Sequence, residues 1–146
     1  MQGPAADRIG YLAKQLQQQV RQAMDAALRP HGLSAAQYAV LLTVAAHPGI
    51  AAAELARQTF VTRQSLQDVL GGLRRAGLVE VTYSGVGRRR SLALTEPARR
   101  LLAGADDAVA EVERRMVSGV SADDLARTVE VMRRLRDNLT RDSPTP

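Results

Sequence analysis

At 146 residues, with 45% hydrophobic and 24% charged side chains, the chain has the length and balance of one globular domain with a sizeable core, which excludes disorder of the whole polypeptide. It contains no cysteine, so disulfides, thiolate metal sites and thiol redox switching are excluded as well. The net charge of +5 is unevenly spread: residues 1–47 carry four basic and two acidic side chains, residues 48–100 nine and four, and residues 101–146 seven and nine, so the positive excess lies in the middle, as a polyanion-binding module requires.

Ile9, Leu12, Leu16, Val20, Met24 and Leu28 recur every three or four residues and predict a long first helix with one narrow apolar stripe, ending at Arg29 ahead of Pro30 and Gly32. Ser34 and Gln37 read as a capping box, and Leu33 with Tyr38 as its hydrophobic staple, so a second helix is predicted from Ala35 to Ala46. His47-Pro48-Gly49 breaks it. A short third helix is predicted over 52–58 and a fourth over 62–76, stopped by Gly77 at its C-terminal cap. These two form a helix-turn-helix candidate, and the fourth helix is polar in its N-terminal half. Strands are predicted over 78–83 and 91–94, joined by 84–90, where Gly85 and Gly87 can take the positive φ of a turn. Arg88, Arg89 and Arg90 follow that tip directly.

Thr95 caps a fifth helix that tolerates Pro97 in its first turn, carries Leu101, Leu102, Ala105, Val109, Val112 and Met116, and ends near Ser118-Gly119. Ser121, with Asp124 three residues on, opens a sixth helix bearing Leu125, Val129, Met132, Leu135 and Leu139. The expected fold is mainly α with a small β-hairpin wing: a winged helix-turn-helix lobe, 34–95, flanked by an N-terminal dimerisation helix within 1–33 and C-terminal dimerisation helices within 96–140, with a disordered tail, 141–146. Each terminal helix has a single apolar stripe that one chain of this size cannot cover alone. Pairing two chains is the economical way to bury Ile9, Leu12, Leu16, Leu125, Val129, Met132 and Leu135, so a two-fold homodimer is expected.

The arrangement resembles the MarR (multiple antibiotic resistance regulator) family of bacterial winged-helix transcription factors. The carriers are H-G-L-S-A-A-Q-Y-A-V-L-L at 31–42, A-A-E-L-A-R-Q at 52–58, V-T-R-Q-S-L-Q-D-V-L-G-G-L-R-R-A-G-L-V at 61–79 and R-R-R-S-L-A-L-T-E at 88–96, in that order and spacing. The resemblance implies a homodimeric repressor of an inverted-repeat operator on double-stranded DNA, released by a small aromatic or anionic effector. It implies that Thr62, Arg63, Gln64, Ser65 and Gln67 start the recognition helix and enter the major groove, and that Arg88, Arg89 and Arg90 reach toward the adjacent minor groove. The chemistry of these side chains agrees: Thr62 and Ser65 can donate to phosphates, Gln64 and Gln67 can read adenine edges, and Arg63 can bridge guanine or phosphate.

Three positions depart from the family pattern. Val86-Gly87 occupy the place where an Asp usually braces the wing arginine; Asp68 puts a carboxylate near phosphates; and Gly71-Gly72 should each cost the recognition helix about 1 kcal/mol relative to alanine. The resemblance implies an effector pocket that Met24, His31 and Tyr38 could line, although as residues Met24 and Tyr38 read first as plain core and His31 as a surface loop histidine. Two isolated histidines and no cysteine give no metal-site pattern, and no cofactor is expected. There is no G-x-S-x-G, phosphate loop or paired-histidine signature, so the chain is not expected to be an enzyme. Apolar runs such as 38–46 are too short to cross a membrane and no secretory leader is evident, which predicts a cytoplasmic protein. A winged-helix protein-interaction module and a nonspecific architectural DNA binder are the alternatives.

Overall fold

The computed structural model of the chain, which describes residues 8–59, 61–84, 87 and 89–141, runs α1 (Ile9–Leu28), α2 (Ala35–Ala46), α3 (Ala52–Thr59), α4 (Arg63–Arg75), β1 (Val79–Ser84), β2 (Arg89–Leu94), α5 (Glu96–Met116) and α6 (Ala122–Arg141). The described residues divide into two compact units, with the boundary between Val112 and Glu113, inside α5.

Local chemistry sets the boundaries in the first unit. After α1 a 3-10 turn, Arg29–His31, leads to Gly32 at φ 71°, where Leu33 N–H donates to the Leu28 carbonyl at 3.3 Å and Gly32 N–H to that of Arg29 at 3.0 Å. The positive φ lets these two bonds satisfy carbonyls that the helix end would otherwise leave open. Helix α2 opens with the predicted capping box: Ser34 Oγ accepts from Gln37 N–H at 3.1 Å and Gln37 Oε1 accepts from Ser34 N–H at 2.9 Å. Asp25 of α1 adds a further cap, its Oδ1 accepting from Ala35 N–H at 2.7 Å. Helix α4 ends as α1 does, with Gly77 at φ 70°, Leu78 N–H donating to the Leu73 carbonyl at 2.9 Å and Gly77 N–H to that of Arg74 at 3.0 Å.

Several boundaries differ from expectation. Helix α3 continues to Thr59, whose Oγ1 donates back to the Leu55 carbonyl at 2.7 Å. Thr62 stands outside α4 as its N-cap. Strand β1 begins at Val79 because Leu78 is occupied in closing α4, and β2 begins at Arg89, so Arg89 and Arg90 are strand residues paired with Ser84 and Tyr83 rather than parts of the turn. Helix α6 extends through Arg141. The rest of the predicted tail, with Gly85, Val86 and Arg88 of the predicted wing tip, lies outside the described residues.

The core of the first unit is an apolar cluster in which Leu28, Val40, Leu41, Val44, Leu55, Leu66 and Leu73 are almost fully enclosed. It draws on both ends of the unit: the last residue of α1 and Ala98, Leu102 and Ala105 of α5 belong to it. The antiparallel hairpin closes one side. Its register, Val79 with Leu94 and Val81 with Leu92, puts these four side chains on one face by the two-residue alternation of a strand. The outer edge of β2 is covered too, since Gly49 N–H donates to the Leu92 carbonyl and Leu92 N–H to the Ile50 carbonyl, both at 3.3 Å. The connection between α2 and α3 is thereby stitched to the hairpin.

The second unit holds the last turn of α5, a reversal at Gly119 (φ 78°) and α6. Ser121 caps α6 as predicted, its Oγ accepting from Asp124 N–H at 3.1 Å and donating to Asp124 Oδ2 at 2.9 Å. Among the described residues no helix is long and apolar enough to cross a membrane.

Candidate nucleic-acid interface

The packing of α4 divides its surface by chemistry. Leu66, Leu70 and Leu73 are buried, which turns Arg63, Gln64, Ser65, Gln67 and Asp68 outward. The first turn carries no acidic residue, so the open N–H groups and the positive end of the helix dipole are available to an anion such as phosphate. Arg63 stands exposed at that end, and two clefts of about 430 and 240 Å³ border it between α3 and α4.

The five predicted recognition residues are not equivalent. Thr62 Oγ1 accepts from Ser65 N–H at 3.1 Å and donates to Ser65 Oγ at 3.0 Å. It therefore builds the helix start, and the phosphate donor expected at Thr62 is committed to the cap. Gln64 Nε2 donates to Asp68 Oδ1 at 3.3 Å, one turn further on. Gln67 lies on another ridge of the helix, with Gly71 and Arg74, four and seven residues from it.

That second ridge faces the hairpin across a groove of about 140 Å³, with Leu70, Val81 and Leu92 as its apolar walls and Gln67, Arg74 and Arg90 as its polar ones. Arg90 reaches the groove because it shares the strand parity of Leu92 and Leu94, and its partner Tyr83 that of Val79 and Val81, beyond the part of the hairpin that covers the core. Two guanidiniums thus line one groove, and Gln67 links it to the cleft beside Arg63. Arg74 was not singled out from the sequence as part of this site, where its position near the end of a helix gave a sufficient structural reason. The signal that finds it is its seven-residue spacing from Gln67. Arg88 lies outside the described residues, and Arg89 enters only through its backbone pairing with Ser84.

The three residues mapped to an effector pocket occupy different settings. Tyr38 is buried within the core, Met24 packs half-buried against the same cluster, and His31 sits half-buried in the 3-10 turn after α1. Burial pushes the Tyr38 phenol up from its ordinary value, and the negative charge of Asp106 pushes it further in the same direction. The residues assigned to a dimer interface are uncovered in the single chain. In the first unit Ile9, Leu12 and Leu16 of α1 are exposed. In the second, Val129, Met132 and Leu135 of α6 are exposed and Leu125 is half-buried, with Val131 and Leu139 adding apolar surface the sequence pattern had not assigned to the interface.

Comparison with known proteins agrees with this geometry. A family model described as MarR family matches residues 31–90. The HTH-type transcriptional repressor Rv2887 of Mycobacterium tuberculosis is 33% identical over 115 residues, which is 78% of this chain and 83% of that protein. The crystal structure of Rv2887 in complex with salicylic acid superposes with a TM-score of 0.70 at 30% identity, covering 89% of this chain and 98% of that one. The transcriptional repressor CouR bound to a 23-mer DNA duplex superposes with a TM-score of 0.82 at 28% identity, covering 92% and 96%. With a winged helix-turn-helix lobe between long terminal helices and a relative of this identity across most of its length, the chain belongs to the MarR family of DNA-binding transcriptional regulators.

Proposed function

We propose that the chain acts as a homodimeric, cytoplasmic repressor that binds an inverted-repeat operator and is released by a small aromatic or anionic effector. Residues 34–95 form the DNA-binding lobe in this reading, and segments within 1–33 and 96–140 pair with those of a second copy. The observation that carries it is the exposed face of α4: its acid-free start carries Arg63, which lines one cleft with Gln67, and Gln67 in turn lines the hairpin groove with Arg74 and Arg90. Thr62 holds the start of α4; Arg63 and Ser65 meet phosphates, Gln64 and Gln67 read base edges, and Arg88, Arg89 and Arg90 follow the backbone along the wing. The similarity to a repressor solved on a DNA duplex and to one solved with salicylic acid supports both the partner and the effector class. Met24, His31 and Tyr38 are the proposed effector contacts. The chain carries no catalytic role in this reading.

The test is selection from a randomised duplex library at near-physiological salt, followed by affinity measurement on the winning sequence. An enriched inverted repeat, with half-sites about one helical turn apart, is the expected result. Salt-sensitive retention of all sequences alike indicates an architectural binder. No retention at all indicates a protein-interaction module.

A further inference from the structure

We propose that Asp68 is a positioning and specificity-determining residue, which orients Gln64 and turns the pair into a reader of exocyclic amino groups in the major groove. The proposal rests on the DNA-binding reading above. Its basis is the Gln64 Nε2 to Asp68 Oδ1 hydrogen bond of 3.3 Å on the exposed surface of α4. An ionised carboxylate only accepts hydrogen bonds, so it selects the amide orientation in which the Gln64 NH2 group faces it and the carbonyl Oε1 faces away. The second N–H of Gln64 remains available beside Oε1. One acceptor and one donor side by side are what bidentate pairing with adenine N6 and N7 requires.

Asp68 keeps further acceptor capacity after taking the Gln64 N–H. The base-edge group that suits a carboxylate is the cytosine N4 amino group, whereas guanine offers only the acceptors O6 and N7 in the major groove and is repelled. The carboxylate is also repelled by phosphates, so it lowers affinity for every duplex while the amino contacts restore it only on the right sequence. Selectivity is thereby raised at the expense of sequence-independent binding.

The experiment repeats the library selection with Asp68→Ala, Asp68→Asn and Gln64→Ala, all at exposed positions that leave the core intact. Asp68→Ala is expected to cut the preference for adenine at the Gln64 position about tenfold, to admit guanine at the neighbouring position and to bind unrelated duplex more tightly. Asp68→Asn keeps an acceptor for Gln64 and is expected to preserve the adenine preference while losing the exclusion of guanine. Gln64→Ala should lose the adenine preference alone. Unchanged base frequencies in both Asp68 variants, with affinity rising uniformly, would reduce Asp68 to a repulsive charge and overturn the proposal. If the native protein itself enriches no sequence, the DNA reading falls first and this inference with it.

Discussion

Tyr38 shows how one buried side chain ties the lobe to pH. Its phenol ionises with more difficulty in the folded chain than in the unfolded one, because burial removes water from the phenolate and Asp106 adds a like charge. A group whose folded pKa is raised contributes full stability below its unfolded value, about 10 for tyrosine, and withdraws it as the pH climbs above that value. Denaturant midpoints of the native protein should therefore hold steady to about pH 10 and then decline. Tyr38→Phe should flatten the decline, and Asp106→Asn should soften it only in part, since burial is the larger cause. An alkaline limb unchanged in Tyr38→Phe would show that another group governs it. The same residue also illustrates local legibility: Leu33, Ser34, Gln37 and Tyr38 could be read as one capping unit from sequence because cap and staple act within five residues, and the structure shows both hydrogen bonds.

Helix α4 and the hairpin behave less legibly, because their roles depend on partners distant in sequence. Gly71 and Gly72 weaken the propensity of α4, and no packing requirement within the described chain explains them. A Cβ at Gly72 would lie 3.8 Å from Gln37 Nε2 and one at Gly71 would lie 3.5 Å from an Arg75 guanidinium nitrogen, both ordinary contacts, and neither residue has a positive φ. Gly71→Ala and Gly72→Ala should each stabilise the fold by about 1 kcal/mol, a rise of about 3 °C in Tm. Destabilisation by either would mean that the helix must bend or close against something at this point. Arg90 could be read as a turn charge because three arginines after Gly-Val-Gly resemble a tip, yet the register makes it a strand residue that faces α4. Arg74 could be read as a dipole partner for the same reason: only the folded hairpin reveals what stands opposite. If both meet phosphates, Arg74→Ala and Arg90→Ala should each lower the slope of log affinity against log salt by about one per protomer. A slope identical to that of the native protein would remove that arginine from the interface.

At the scale of the whole molecule, if the terminal helices pair two chains as proposed, their apolar stripes determine whether two lobes act as one. Ile9 is 63% exposed on α1 and Leu139 78% exposed on α6; Leu12, Leu16, Val129, Met132 and Leu135 are exposed as well, and Leu125 is half-buried. Fully burying a leucine, isoleucine or methionine is worth about 1.5–3 kcal/mol, so several such side chains can sustain a stable dimer after the cost of association. Dimerisation then acts on DNA binding without any new base contact. Once one lobe is seated, the second half-site is met at an effective concentration of about millimolar, which can strengthen binding by two orders of magnitude or more. Leu12→Glu combined with Met132→Glu places charge in both stripes while leaving α4 and the hairpin untouched. The double variant should sediment as a monomer, bind an isolated half-site as the native protein does, and lose at least about 100-fold in affinity for the complete inverted repeat. Equal loss on the half-site would locate the damage in the lobe. A monomer that keeps full affinity for the repeat would show that the two lobes are not coupled, and the reading of the terminal helices as the dimerisation element would have to be abandoned.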